Sequence, residues 1–273
     1  MEDLTRNQRN TSRAALYGIS YSTFSLTPFR KKALSENEIG TYASTLRSHL
    51  GLVFQTPPGH ENSGVSRGQE IQSIDWECLK EPDIHEITDR HCIRVSFRGG
   101  SVAVINLVKA NSEEWPLLLI RSSSQFQRIF FCWFERFFDT NVRRLLIPVD
   151  LLERSLENYV AASVRIAGDL ELTFGIIGCE TLRKITITLQ EDDVLTLAMG
   201  SSLLVQLTRL IHQKTGIELN KLKLSRTVCP AYALSSEGKL KTSQKMPGEL
   251  FKELIGNLGN LAETSSTSKI RET

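Results

Sequence analysis

The chain has 273 residues, 40% of them hydrophobic and 23% charged; that is enough apolar mass for a sizeable core in one large domain or two closely packed halves, and it excludes a disordered tail protein. The net charge of +2 is unevenly spread. Residues 1–32 hold six Lys/Arg against two acids and residues 214–245 hold seven against two, so the stretch between and beyond them is net acidic and basic charge sits near the two ends.

Cys78, Cys92, Cys132, Cys179 and Cys229 have no C-x-x-C spacing and read as free thiols of a reducing compartment, nucleus or cytosol. The first residues lack the apolar run of a signal peptide and no window is long enough to span a bilayer, so a soluble, intracellular protein is expected.

Residues 1–15 are polar and basic and read as a flexible arm. Leu34-Ser-Glu-Asn-Glu38-Ile39 is written as a capping box, with Ser35 as N-cap, Glu38 three positions on, and Leu34 and Ile39 placed as a hydrophobic staple. The spacing of Ile39, Tyr42, Leu46 and Leu50 predicts a helix over 36–50 that Gly51 stops. Residues 55–70, rich in Gly, Pro, Ser and Asn, read as a long exposed loop. Ile93, Val95 and Phe97, then Gly99-Gly100, then Val102 and Val104 predict a hairpin, and Leu117–Ile120 a more central strand.

In Ser124–Asp139 the aromatic residues crowd one helical stripe: Phe126, Phe130, Trp133, Phe134 and Phe137, widened by Ile129, Phe131 and Phe138. A face that wide needs more than one neighbour, so this core helix is expected between two packed layers, joining the halves of the fold. It explains folding rather than function.

Pro148 opens a further helix to about Ala162, with Asp150 as its cap and Glu153 three residues on. Leu170, Leu172 and Phe174, then Ile185, Ile187 and Leu189, alternate as two half-buried antiparallel strands. Asp192 or Asp193 can cap a helix that Gly200 interrupts and that Leu203, Leu204, Leu207, Leu210 and Ile211 carry on to Gly216. Strand pattern resumes at 217, slips phase near Asn220-Lys221, and runs to 228; a turn at 235–238 precedes Lys239, Leu240 and Lys241. Leu250, Phe251, Leu254, Ile255, Leu258 and Leu261 give a closing amphipathic helix before a polar tail.

The pattern is α+β: a two-layer, sheet-rich protein in two sequential halves joined by the aromatic helix. The expected divisions are the arm, 1–15; an N-terminal half, 16–145; a C-terminal half with basic strands and the closing helix, 146–262; and the tail, 263–273.

No G-x-S-x-G, Gly-rich phosphate loop, H-E-x-x-H or kinase signature occurs, and no acids pair as a general acid and base, which argues against an enzyme and gives no cofactor. Cys78, His85, His91 and Cys92 fit no zinc spacing, and His212 falls beside Arg209 on a helix surface. Thr27-Pro28 and Thr56-Pro57 are minimal sites for proline-directed kinases. If 217–228 and 238–242 pair as a hairpin, Lys221, Lys223, Lys239 and Lys241 project from one face near Arg226 and Lys245, as a phosphate backbone requires. The bland alternative is a solvated sheet face. No aromatic residues interleave with these lysines, which disfavours single-strand stacking.

Three blocks resemble the centromere protein L family, subunits of the constitutive inner kinetochore. They are Thr23-Phe-Ser-Leu-Thr-Pro-Phe29 with the helix bearing Tyr42 and Leu46; Trp133-Phe-Glu-Arg-Phe-Phe-Asp139 with its Pro-containing link to the next helix; and Ile217–Leu224, Arg226 and Gly238-Lys-Leu-Lys241 with the last helix. The short chain is similar to the yeast-type members, and the resemblance implies curved, mainly antiparallel sheets with helices packed on one side. The resemblance implies a nuclear scaffold of the centromere and kinetochore that acts in chromosome segregation in mitosis and meiosis. It further implies a heterodimer with a centromere protein N-type subunit, contacts with other inner-kinetochore subunits, and a basic groove for nucleosomal DNA whose role falls on Arg226, Lys239 and Lys241. Leu250, Leu254 and Leu258 on the last helix, or the strand edges of 217–241, are expected to bind the partner. The rival reading is a stand-alone homodimeric DNA-binding protein of the recombination or nucleoid kind.

Overall fold

A computed structural model describes residues 19–29, 34–54, 70–79, 89–109, 115–162, 168–176, 183–199, 202–243 and 246–267. These contain eleven strands and six α-helices, the strands mostly in antiparallel pairings, an α+β fold. They belong to two compact units. The first is Ser22–Arg144 with residues 258–267, the second Leu145–Asn257 with residues 19–21. The chain therefore contributes both an early and a late segment to each unit.

The first unit is built on β1 (Ser20–Leu26), β2 (Ile71–Leu79), β3 (Asp89–Phe97), β4 (Val102–Lys109), β5 (Leu117–Arg121) and β6 (Val142–Arg144), in the order β2-β3-β4-β5-β1, with β6 also on β1. Gly100, at φ +79°, makes the β3–β4 turn that a side chain would strain. Two helices, α1 (Ile39–Phe54) and α2 (Ser124–Phe138), share one core with Ile93, Val95, Ile105, Leu107, Leu118 and Ile120. Ser123 caps α2 by accepting the Phe126 N–H, and Asp139 ends it in a left-handed conformation at φ 52°. Phe126, Phe130, Trp133, Phe134 and Phe138 are buried, whereas Phe137 is half-buried and stacks on Trp133 at 5.3 Å. All the core partners of α2 lie within the first unit, at the end of which it sits.

Local chemistry departs from the expected pattern at three places. Ser35 makes no side-chain cap; its N–H donates to the Tyr42 hydroxyl at 3.2 Å, which donates to Glu38 at 2.7 Å. The buried tyrosine thus takes over the capping box, a 3₁₀ turn occupies Glu36–Glu38, and α1 starts only at Ile39. Gly51 does not stop α1, which runs on to Phe54. Thr27 of the Thr-Pro pair is held on both sides. Its N–H donates to Asn141 O at 3.1 Å, its hydroxyl accepts Asn141 N–H at 2.8 Å, and its carbonyl accepts the Thr140 hydroxyl at 2.6 Å. Phe29 then stacks on Phe138 at 5.0 Å. The other Thr-Pro pair, most of the 55–70 loop, the 1–15 arm and Cys179 lie outside the described residues.

The second unit contains α3 (Val149–Ala162), β7 (Leu170–Gly175), β8 (Lys184–Leu189), α4 (Glu191–Ala198), α5 (Leu203–Thr215), β9 (Lys223–Val228), β10 (Tyr232–Ser235), β11 (Lys239–Thr242) and the first half of α6 (Gly248–Thr267). Its strand order is β11-β10-β9-β7-β8. Asp150 lies inside the first turn of α3, where it faces Arg154 at 3.6 Å, rather than capping it. Gln190, not an aspartate, precedes α4. Glu157 of α3 holds the start of α5: its carboxylate accepts the Ser202 hydroxyl at 2.6 Å and the N–H groups of Leu203 and Leu204 at 3.1 and 3.0 Å. These fill orphan donors of that helix and set a negative charge at its positive end. Gly216, at φ +75°, closes α5 by donating to His212 O.

The expected 217–228 strand is shorter. Leu219–Lys221 form a 3₁₀ turn, and β9 begins only at Lys223. Nor does it pair directly with 238–242, because β10 intervenes: β9 pairs with β10 and β10 with β11.

Candidate nucleic-acid interface

Cross-strand partners share a sheet face, so the register of the second unit sorts its side chains into two sets. Leu172, Phe174, Leu224, Thr227, Leu234 and Leu240 are buried on one face, against which α3 packs at β9. On the other face run three rows: Lys184, Gly175 and Lys223; Thr186, Thr173, Arg226, Ser235 and Lys239; Thr188, Glu171, Val228, Ala233 and Lys241.

This grouping depends on one irregularity. In a regular strand Leu224 and Arg226, two apart, would point the same way. The β7–β9 register shifts between Thr173 and Phe174, so that Phe174 faces Leu224 while Thr173 faces Arg226 and Ser225 is left as the extra residue. Ser225 is fixed there, donating its hydroxyl to Thr173 O at 2.9 Å and accepting Ser236 N–H at 2.8 Å. The bulge flips Arg226 out to join Lys223 while Leu224 and Thr227 stay in the core.

Lys184, Lys223, Arg226, Lys239 and Lys241 are all exposed. With strands about 4.8 Å apart and residues rising about 3.4 Å, Arg226 and Lys239 stand roughly 10 Å apart and Lys239 and Lys241 roughly 7 Å. Arg226 has Glu171 at 3.6 Å and Lys239 has Glu237 at 3.6 Å, loose pairs between exposed groups. Among the described residues no ion pair involves Lys184, Lys223 or Lys241. Hydroxyls and small side chains, Thr186, Thr188, Ser235 and Ala233, fill the space between cations. The surface therefore offers mobile positive charge on a rigid sheet, without aromatic platforms for bases.

The structure thus brings together Lys223, Arg226, Lys239 and Lys241 of the expected DNA-binding set, and adds Lys184, which sequence reasoning missed. Lys221 falls in the 3₁₀ turn, hydrogen-bonded to Glu218, whose carboxyl this bond and the nearby positive charge hold below the usual range. Lys245 lies outside the described residues. Lys184 could have been found from the alternation of Lys184, Thr186 and Thr188, but its neighbourhood to Lys223 follows only from the β8-β7-β9 order.

The apolar residues expected to bind a partner are buried. Leu250, Leu254 and Leu258 are 8%, 3% and 0% exposed, packed against the chain's own residues. Of Cys78, His85, His91 and Cys92, the described three do not form a metal site. His85 is outside the described residues, His91 Nδ1 accepts the Trp76 indole N–H at 3.2 Å, and Cys92, next in the strand, points to the opposite face. Among the described residues no group of three His, Cys, Asp or Glu could hold a metal, and no single helix is long and apolar enough to cross a membrane. His212 is exposed near the end of α5.

The family model for centromere protein L matches residues 15–263, which takes in both units. The chain belongs to the centromere protein L family. No curated protein matches it. Membership in this structural kinetochore family carries a kinetochore-related role at the centromere, in the nucleus. The three blocks that resembled centromere protein L now have physical tasks. The Thr-Pro-Phe block clasps the chain after β1 to the end of α2, the Trp-Phe block is the core of the first unit, and the C-terminal block is the cationic sheet.

Proposed function

We propose that this centromere protein L family member is a non-enzymatic scaffold of the inner kinetochore that pairs with a centromere protein N-type subunit, meets other inner-kinetochore subunits, and lends its cationic sheet face to DNA of the centromeric nucleosome in support of chromosome segregation. The observation that carries the DNA part is the bulged β9, which aligns Lys223 and Arg226 with Lys184, Lys239 and Lys241 on the face away from α3. Five exposed cations without base-reading side chains suit backbone contact, which positions a duplex without choosing its sequence. The partner part rests on the family match.

The test is to purify the chain alone and co-expressed with a centromere protein N-type subunit, read each mass by light scattering, and titrate both with duplex DNA. A one-to-one complex that binds duplex more tightly than the lone chain, and loses that gain when Arg226, Lys239 and Lys241 are reversed to Glu, is the expected result. No complex, or a complex whose DNA affinity ignores the reversals, refutes the reading. The lone chain binding duplex as tightly as the complex would favour the stand-alone binder.

A further inference from the structure

Two hydroxyls in the core of the second unit, Ser155 Oγ on α3 and Tyr232 Oη on β10, make no hydrogen bond among the described residues, although the two side chains belong to residues only 7% and 4% exposed. The Thr227 hydroxyl, near enough to act on the Tyr232 phenol, is likewise without a bond. Polar groups taken out of water and left unpaired are rare in cores because their desolvation is not repaid, so each calls for a partner.

The topology shows why they meet. Thr227 pairs with Leu234, and Tyr232 lies two places from Leu234 on the same strand, so its side chain falls on the buried face against which α3 packs at β9. Ser155 points from α3 toward that face, and the first half of α6 closes the space from the other side. Asn158 Nδ2 of α3 donates to Glu253 Oε1 of α6, which ties the two helices together at the same place.

Ser155, Asn158, Tyr232, Glu253 and Asn257 are polar walls of one cavity. The space in it open to the centre of a water molecule is about 10 Å³, what one water needs and too little for any larger ligand. Small cavities stay dry when their walls are apolar, and this one has two hydroxyls in want of a partner and a carboxylate. Glu253, with about four lone-pair sites, keeps acceptor capacity beyond its bond to Asn158.

We propose that this cavity binds a single water molecule as a fixed part of the fold: the water accepts the O–H groups of Tyr232 and Ser155 and donates to the Glu253 carboxylate. Three bonds are the usual complement of a buried water. They join β10, α3 and α6 behind the strand whose Ala233 and Ser235 lie on the cationic face, so the water supports that face from the rear and contributes nothing to its charge.

Thermal melts of the full chain test this through Tyr232→Phe, made alone and in a Ser155→Ala background. Ser155 and Tyr232 share no bond, so any coupling between them reports the bridge. Alone, Tyr232→Phe should lower the melting temperature by about 2–4 °C, as loss of one satisfied hydrogen bond does in a chain of this size. In the Ser155→Ala background, where the water has already lost a partner, it should cost clearly less. A crystal structure of the full chain at high resolution should show one density peak about 2.8 Å from both hydroxyl oxygens, missing in the double variant. A phenol with no water beside it loses nothing with its hydroxyl. Tyr232→Phe that leaves the melting temperature unchanged or raises it therefore overturns the proposal, as does an equal cost in the two backgrounds or a wild-type structure without the peak.

Discussion

Replacing Lys223 and Lys241 together by Ala isolates the charge of the sheet face from its geometry. Both side chains are exposed on the solvent face, and neither has an ion pair among the described residues, so their removal takes away positive charge and leaves no buried partner behind. Each phosphate neutralised contributes about 0.9 to the slope of log affinity against log salt, so the five cations of the face set an upper slope of about 4.5 and the double variant about 2.7. Between 50 and 200 mM salt the unaltered complex should then lose roughly 500-fold in affinity and the variant roughly 40-fold. Fluorescence anisotropy on a labelled duplex, repeated on a second duplex of unrelated sequence, reads both numbers, and the change should be the same for the two sequences. Glu171→Gln should move the other way, since it frees Arg226 from the carboxylate at 3.6 Å. A double variant with an unchanged slope would mean that DNA does not lie on this face.

Other outcomes follow from single contacts. Glu157→Ala removes the acceptor of three hydrogen bonds at the start of α5 and should cost about 2–3 kcal/mol in urea unfolding, with loss of amide protection at Leu203 and Leu204 as the local readout. Thr27→Ala takes away the acceptor for Asn141 N–H and should cost about 1–2 kcal/mol, read as a lower melting temperature. Burial and the hydrogen bond to Glu38 raise the Tyr42 phenol to about 12 from an ordinary 10, so folding favours its protonated form. That stability is complete below pH 10 and is lost as pH rises toward 12. Urea midpoints measured from pH 8 to 12 should fall across that window, less steeply in Tyr42→Phe. Tyr232 and Cys229, whose burial also raises their pKa, leave a residual alkaline loss.

Much of the fold is legible because it rests on apolar periodicity and on glycine. The aromatic stripe of α2, the Gly100 turn, the alternation of β7 and β8 and the Gly216 stop each follow from residues within a few positions. What was not legible depends on partners far along the chain. β1 was missed because Tyr21, Thr23 and Ser25 are buried beside Phe24 and Leu26, which erases the alternation that marks a half-buried strand. The capping box at Ser35 was displaced by a tyrosine that the motif does not contain. Phe137 and Phe138 exchanged roles because which flank of a wide stripe is covered depends on the neighbours, here Phe29 and Tyr42. The stripe of α6 was legible as apolar but not as internal, since periodicity says that a face is covered and not by what.

The phase slip of the last strands ties this lesson to function. Sequence pattern locates a slip near Asn220-Lys221, where the structure has a 3₁₀ turn, and a second slip at Ser225 passes unseen because Leu224 and Thr227 are too far apart to declare it. Yet that second slip decides which way Arg226 points. Without it the guanidinium would share the core face with Leu224, and a buried arginine without a partner is far costlier than a bulge. Deleting Ser225, the extra residue, puts Leu224, Arg226 and Thr227 in plain alternation, so it should keep both the fold and DNA binding, whereas Arg226→Ala should leave the fold intact and weaken binding. The two variants, compared by thermal melt and by anisotropy, separate the backbone irregularity from the charge beside it, and a deletion that loses binding while keeping its melting temperature would refute the assigned direction of Arg226.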